Sequence, residues 1–138
     1  MNPALSSKGA TECDADDFLG LFSGEIDVIR LQAGQELFGK GETGRHMYVI
    51  KSGQVQIADG NHVFETVSAG GIVGEMALIS EEPRSATVRA LADSVVIAID
   101  ERRFSFMTQR TPFFALRVMK VMSARLKAMN DWATSLAQ

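Results

Sequence analysis

Apolar and polar residues keep two different rhythms along this chain. Up to Ile99 the apolar positions come in short runs divided by glycine. Ile26, Val28 and Leu31 alternate raggedly, Leu37-Phe38 sits among Gly34, Gly39, Gly41 and Gly44, and Met47–Ile50 is closed by Ser52-Gly53. Val55 and Ile57 alternate with Gln54 and Gln56, and Val63, Glu65 and Val67 alternate with Phe64, Thr66 and Ser68. Asp59-Gly60 between these two runs is a hairpin turn signal. Thr87–Leu91 and Ser94–Ile99 are again rich in β-formers. Such a pattern predicts about seven or eight short strands with glycine at the corners, in a sandwich or a small barrel.

After Ile99 the rhythm turns helical. Asp100 is placed to cap a short helix over Glu101–Gln109. Thr111-Pro112 starts a second one, with Thr as N-cap and Pro at the first helical position, and nothing breaks it before about Ser135. Along this helix Ala115, Met119, Met122, Leu126, Met129, Ala133 and Leu136 follow alternating spacings of four and three, a heptad seam. Beside it runs a second stripe of Phe114, Val118, Val121, Arg125, Ala128 and Trp132. Either one stripe lies on the barrel and the other meets a partner, or both form one broad face buried on the barrel. At the other end, Asp14–Phe22 predicts one or two helical turns with acidic residues at the N-terminal side. Residues 1–13 are small and polar and read as a flexible segment, which leaves 14–138 as a single domain.

Composition narrows the classes. With 138 residues, 46% hydrophobic and 22% charged, the chain suits one globular domain. A net charge of -3 argues against an extended nucleic-acid surface, which needs a positive field. The lone Cys13 has no partner for an intramolecular disulfide. No apolar run is long enough for a bilayer and no signal-peptide pattern is present, so no membrane association and a cytoplasmic location are expected. His46 and His62 are isolated and match no metal-ligand spacing; His62 falls in the expected turn, where a solvated role is expected. Asp16-Asp17 and Glu81-Glu82 are adjacent, solvated pairs, and no nucleophile has a base nearby. Neither an enzyme nor a bound cofactor or metal is expected.

The chemically informative stretch is Gly70–Ala90. Gly70-Gly71 lets the chain turn sharply and approach a ligand closely. Gly74–Ile79 suits one or two helical turns whose first N–H groups lack partners. Arg84, after Pro83, has the side chain best shaped to grip a phosphate, and Ser85 adds a hydroxyl. Glu75 is out of place beside a phosphate, unless it accepts hydrogen bonds from sugar hydroxyls. The same residues also fit a Gly-rich corner with a surface ion pair worth little. The residues alone leave both open.

Gly74-Glu75-Met76-Ala77-Leu78, a short spacer and Pro83-Arg84-Ser85-Ala86-Thr87-Val88 closely resemble the phosphate-binding cassette of cyclic-nucleotide-binding domains. That family includes the regulatory subunits of cAMP-dependent protein kinase, the bacterial catabolite activator protein and cyclic-nucleotide-gated channels. Gly34–Phe38, Gly41-Glu42, Gly44, Met47–Ile50 and Ser52–Val55 resemble its Gly-punctuated strands. The resemblance covers about residues 20 to 130.

It implies a mainly β fold, a jelly-roll-like double-stranded β-helix barrel with a short cassette helix and C-terminal helices. Glu75 would accept from the ribose 2′-hydroxyl and Arg84 would pair with the phosphate oxygens. Gly74 and the backbone amides near Met76, Ala77 and Ala86 would surround the phosphate, with the Ser85 hydroxyl. Ile57, Phe64, Val73, Arg125 and Met129 would form the base pocket, although by alternation Phe64 equally suits the core. Met129 departs from the hydroxyl residue by which the activator protein contacts the base, and Trp132 suits packing or a cover over the base.

The implied function is a receptor for a cyclic mononucleotide, cAMP with cGMP as a weaker ligand, that moves its C-terminal helix on binding. It would act through an unidentified effector protein, as a homodimer through that helix. The alternative is a ligand-free structural or dimerisation module of the same fold. A cyclic-nucleotide hydrolase would need a metal site that the sequence does not offer. Within these residues no winged-helix segment accompanies the domain, so no nucleic-acid partner is expected.

Overall fold

The computed structural model describes residues 27–137. Residues 1–13, Cys13, the helical turns expected over Asp14–Phe22 and Ile26 lie outside the described residues. In chain order the elements are β1 (Asp27–Leu31), β2 (Glu36–Phe38), β3 (Met47–Ser52), β4 (Gln54–Asp59), β5 (His62–Ser68), β6 (Ile72–Val73), α1 (Glu75–Ser80), β7 (Thr87–Ala90), β8 (Ser94–Ile99), α2 (Glu101–Arg110) and α3 (Pro112–Leu136).

The strands form two antiparallel four-stranded sheets, ordered β1-β8-β3-β6 and β2-β7-β4-β5. This is the expected jelly-roll-like arrangement, but the sheets stay separate and no closed barrel forms. The edge strands β2 and β6 have three and two residues, too few to carry a closing ladder.

Sheet one is covered on both faces. One face meets sheet two: Leu31, Ile50, Val73 and Val96 pack with Phe38, Val55, Val67 and Val88. The other meets the helices: Met47, Val49, Ile97 and Ile99 pack with Leu78, Met107, Phe114 and Val118. Burial on both faces explains why β3 and β8 read as nearly continuous apolar runs. Sheet two turns one face to water, so its strands alternate, and Arg89 on β7 pairs with Glu36 on β2 there at 2.8 Å.

One irregularity shapes the site. The hairpin turn is Gly60-Asn61, one residue on from the expected Asp59-Gly60. Asp59 thus ends β4 and pairs with His62, which begins β5 rather than lying in the turn. Ala58 pairs with Val63, but Ile57 pairs with Glu65. Phe64 is the extra residue of a β-bulge. The strict alternation read from the sequence breaks at that point.

Asp100 caps α2 as expected, accepting from the Arg103 N–H at 2.8 Å. Thr111 precedes α3 but makes no side-chain capping bond. Its N–H instead closes α2 by donating to Met107 O at 2.8 Å, and Pro112 opens α3 without needing a donor. On α3 the inner stripe is buried at Phe114, Val118 and Arg125, half-buried at Val121 and Trp132, and exposed at Ala128. Met119, Leu126 and Leu136 of the heptad seam are 57%, 49% and 66% exposed. The single broad buried face is therefore not what the chain adopts.

Candidate functional site

Two buried arginines define the region between α1, β7, α3 and sheet two. Arg84 is 5% exposed. Its backbone is fixed by the glycine loop before β3: the Arg84 N–H donates to Glu42 O at 2.9 Å, and the Gly41 N–H donates to Arg84 O at 2.8 Å. Its guanidinium lies over the Phe38 ring, with Cζ 4.1 Å from the centroid, a cation–π contact. Nη1 donates to Gly74 O at 3.2 Å, while the buried Nε has no hydrogen-bond partner. Burial lowers the Arg84 pKa, against the raising influence of Tyr48, Glu42 and Glu75. An arginine remains cationic in spite of such a shift.

Glycine makes room for this guanidinium at two positions. A Cβ on Gly74 would stand 2.8 Å from Nη1, and one on Gly44 would collide with the guanidinium outright. Gly74 also has φ 81°, which places α1 directly after β6. Gly70-Gly71, expected to approach a ligand, instead turns against the chain itself: a Cβ on Gly71 would strike the Val67 side chain.

Glu75, the first residue of α1, is 2% exposed. Arg125 on α3 reaches it, Nη1 donating to Glu75 Oε1 at 2.7 Å. Arg125 also grips Glu65 on β5, with Nε to Oε1 at 2.9 Å and Nη2 to Oε2 at 3.2 Å. Burial by itself would lower the Arg125 pKa, but the Glu65 hydrogen bonds and the charges of Glu75 and Glu65 outweigh it and raise it.

Two cavities adjoin these groups. The smaller, about 30 Å³, is lined by Gly74, Glu75, Met76, Ala77, Arg84, Ser85 and Ala86, together with Phe38 and Val88. All seven cassette residues singled out in the sequence are brought together here. The larger, about 320 Å³, is lined by Phe64, Glu65, Lys120, Val121, Ala124 and Ala128 among others. Ile57, Arg125 and Met129 line both. The smaller alone falls far below the roughly 300–1,000 Å³ of small-molecule sites, and the larger stands at the low end of that range. Val73 lines neither and is fully buried in the inter-sheet core. The Ser85 hydroxyl points to Met76 Sδ at 3.9 Å. Phe64 does both things left open for it: it lines the larger cavity and packs against the core.

The far end of α3 is held by rings. His62 and Trp132 stack at 4.6 Å with 7° between planes, and Phe64 meets Trp132 edge-on at 5.2 Å. His62 is therefore half-buried in an aromatic cluster rather than solvated in its turn. Sequence reasoning missed Phe38 as the platform under Arg84 and Glu65 as the second partner of Arg125. Among the described residues no group of His, Cys, Asp and Glu could hold a metal ion, and no helix is long and apolar enough to cross a membrane.

Two four-stranded sheets in a jelly-roll-like arrangement, with a short helix and a buried arginine at one corner, define the class of fold. The cyclic nucleotide-binding domain family matches residues 28–111. An uncharacterized NTE family protein of Mycobacterium bovis is 32% identical over 121 residues, 87% of this chain and 21% of its own length. A cyclic nucleotide-gated potassium channel of Rhizobium etli is 37% identical over 101 residues, 69% of this chain and 28% of the channel. The crystal structure of Thermus thermophilus catabolite activator protein superimposes with a TM-score of 0.70 at 22% identity, covering 96% of this chain and 62% of that one. The chain belongs to the cyclic nucleotide-binding domain family, a family of regulatory binding domains. It spans about a fifth of the mycobacterial relative's length.

Proposed function

We propose that this chain is a receptor for a cyclic mononucleotide, cAMP in preference to cGMP, and not an enzyme. One observation carries the reading: Arg84 is a buried cation with an unpartnered Nε, set into the cavity lined by the cassette residues. A buried donor without a partner costs about 1–3 kcal/mol, which an anionic oxygen would relieve. In this reading Arg84 pairs with the cyclic phosphate, the amides near Met76, Ala77 and Ala86 with Ser85 surround it, and Glu75 accepts from the ribose 2′-hydroxyl. The base lies toward Ile57, Phe64 and Met129 in the larger cavity.

Arg125 resolves the difficulty of a carboxylate next to a phosphate. It pairs directly with Glu75 and offsets part of that charge, while Arg84 supplies the cation next to the phosphate. The same pair joins the cassette to α3. A ligand that binds better with one placement of α1 shifts α3 by that difference in affinity. The output then passes to an effector, whether a separate cytoplasmic protein or another part of a longer chain. Calorimetry with cAMP, cGMP and 5′-AMP tests the reading. Tighter binding of cAMP than of cGMP or 5′-AMP, with no 5′-AMP formed when cAMP is incubated with the chain, supports it; the absence of any heat with either cyclic nucleotide contradicts it.

A second reading, a homodimer through α3, is favoured by the exposed seam of Met119, Leu126 and Leu136. It is compatible with ligand binding, and it also suits a module of this fold that dimerises without a ligand.

A further inference from the structure

Glu65 lies outside the cassette pattern, yet its carboxylate shapes the cassette. Glu65, in register with Ile57, faces the cavity beneath α3, and the β-bulge brings Phe64 to the same side. There Glu65 takes two of the Arg125 donors, Nε and Nη2, as a fork. A forked pair fixes the plane of the guanidinium as well as its position. With that plane fixed, Nη1 is directed to Glu75 Oε1 at 2.7 Å. The bond is to Oε1, which leaves the other carboxylate oxygen to accept from a ligand. Glu65 keeps 42% of its side chain exposed, whereas Glu75 and Arg125 keep 3% and 8%. Solvent therefore screens the charge of Glu65 while the inner pair stays desolvated.

We propose that Glu65 is a positioning residue that sets the selectivity of the site for ribose over 2′-deoxyribose, by holding Arg125 so that Arg125 orients Glu75. This rests on the reading that Glu75 accepts from the 2′-hydroxyl. Removing the fork frees the guanidinium to rotate, and the Glu75 carboxylate then has no fixed direction. The loss falls on the contact with the 2′-hydroxyl and spares the phosphate contact at Arg84.

The test compares calorimetric affinities for cAMP and 2′-deoxy-cAMP. The full chain should favour cAMP by about tenfold or more, the worth of one charge-assisted hydrogen bond. Glu65→Gln should shrink that ratio about threefold or more, with little change for 2′-deoxy-cAMP. Glu65→Asp should give an intermediate ratio, and it carries the comparison should Glu65→Gln not fold. Glu75→Ala should bring the ratio near one. A purely structural role for Glu65 would weaken both nucleotides equally. If both Glu65 variants keep the full ratio while Glu75→Ala abolishes it, the positioning role is overturned and the ribose reading stands. If Glu75→Ala keeps the ratio, the ribose reading itself falls, and the role of Glu65 with it.

Discussion

Arg84 and Arg125 are both more than nine-tenths buried, but they sit in opposite electrostatic settings. Arg125 has three hydrogen bonds to two carboxylates, and its charged form is stabilised within the chain. Arg84 has one side-chain bond to a carbonyl, an aromatic platform and an unpartnered Nε, and burial weakens its hold on its proton. A buried cation that is satisfied internally serves to join elements. A buried cation that is not satisfied carries a desolvation cost that an anionic ligand, in the function proposed above, would relieve. Two residues of one type, both buried at the same cavity, thus differ in what the chain itself satisfies: Arg125 fully bridged, Arg84 with a donor left over.

The largest effect expected from this contrast is on stability. Arg125→Ala leaves Glu75 buried without its partner, which should cost about 3–5 kcal/mol in urea unfolding. Arg84→Ala removes an unsatisfied donor along with a cation–π contact, so its cost should stay within about 1 kcal/mol. Equal losses for the two variants would break the contrast. Adding Glu75→Gln to Arg125→Ala should recover part of the stability, since the stranded charge is then gone.

The seam on α3 gives a second, smaller test, because the same helix carries Arg125 on its inner face. Met119→Glu with Leu126→Glu should turn a homodimer into a monomer in sedimentation while thermal unfolding stays cooperative. Both positions are exposed, and unlike Met129 neither lines a cavity. A wild-type chain that sediments as a monomer with and without cAMP would remove the seam from the account. The smallest effect concerns the base. The Ser85 hydroxyl can also serve the 2-amino group of guanine, so cGMP should bind measurably but more weakly than cAMP. A strong cGMP preference in the same titration would reverse the choice of base and leave the two arginines as they are.

Much of the architecture is legible in the sequence because local signals and burial agree. The seven Gly-punctuated apolar runs become seven of the eight described strands, the two-residue β6 escaping. The hairpin turn falls one residue on from Asp59-Gly60, and Asp100 caps α2. The cassette is legible too, since Gly74–Ala77 and Arg84–Ala86 lie close in the chain and meet at one cavity. What escapes the sequence depends on contacts across long separations or on a broken period. Phe38 meets Arg84 across 46 positions, and nothing local marks a strand residue as the platform for a cation. Glu65 shares the inward side of β5 with Val67, but its partner Arg125 lies 60 positions away, and only the bulge at Phe64 brings that ring to the same side while Val63 turns out. Val73, grouped with the base pocket by resemblance, follows the ordinary fate of an apolar residue in a strand buried on both faces.

Arg84 is the residue on which recognition of an anionic ligand would depend most directly. Calorimetric titration of the wild-type chain, Arg84→Ala and Arg84→Lys with cAMP measures it. Loss of the two charge-assisted bonds should weaken Arg84→Ala by about a hundredfold or more. Arg84→Lys should recover only part of that, since it keeps the charge and loses the fork. Binding of cAMP by Arg84→Ala as tight as by the wild-type chain would contradict the assignment of this cavity as the nucleotide site.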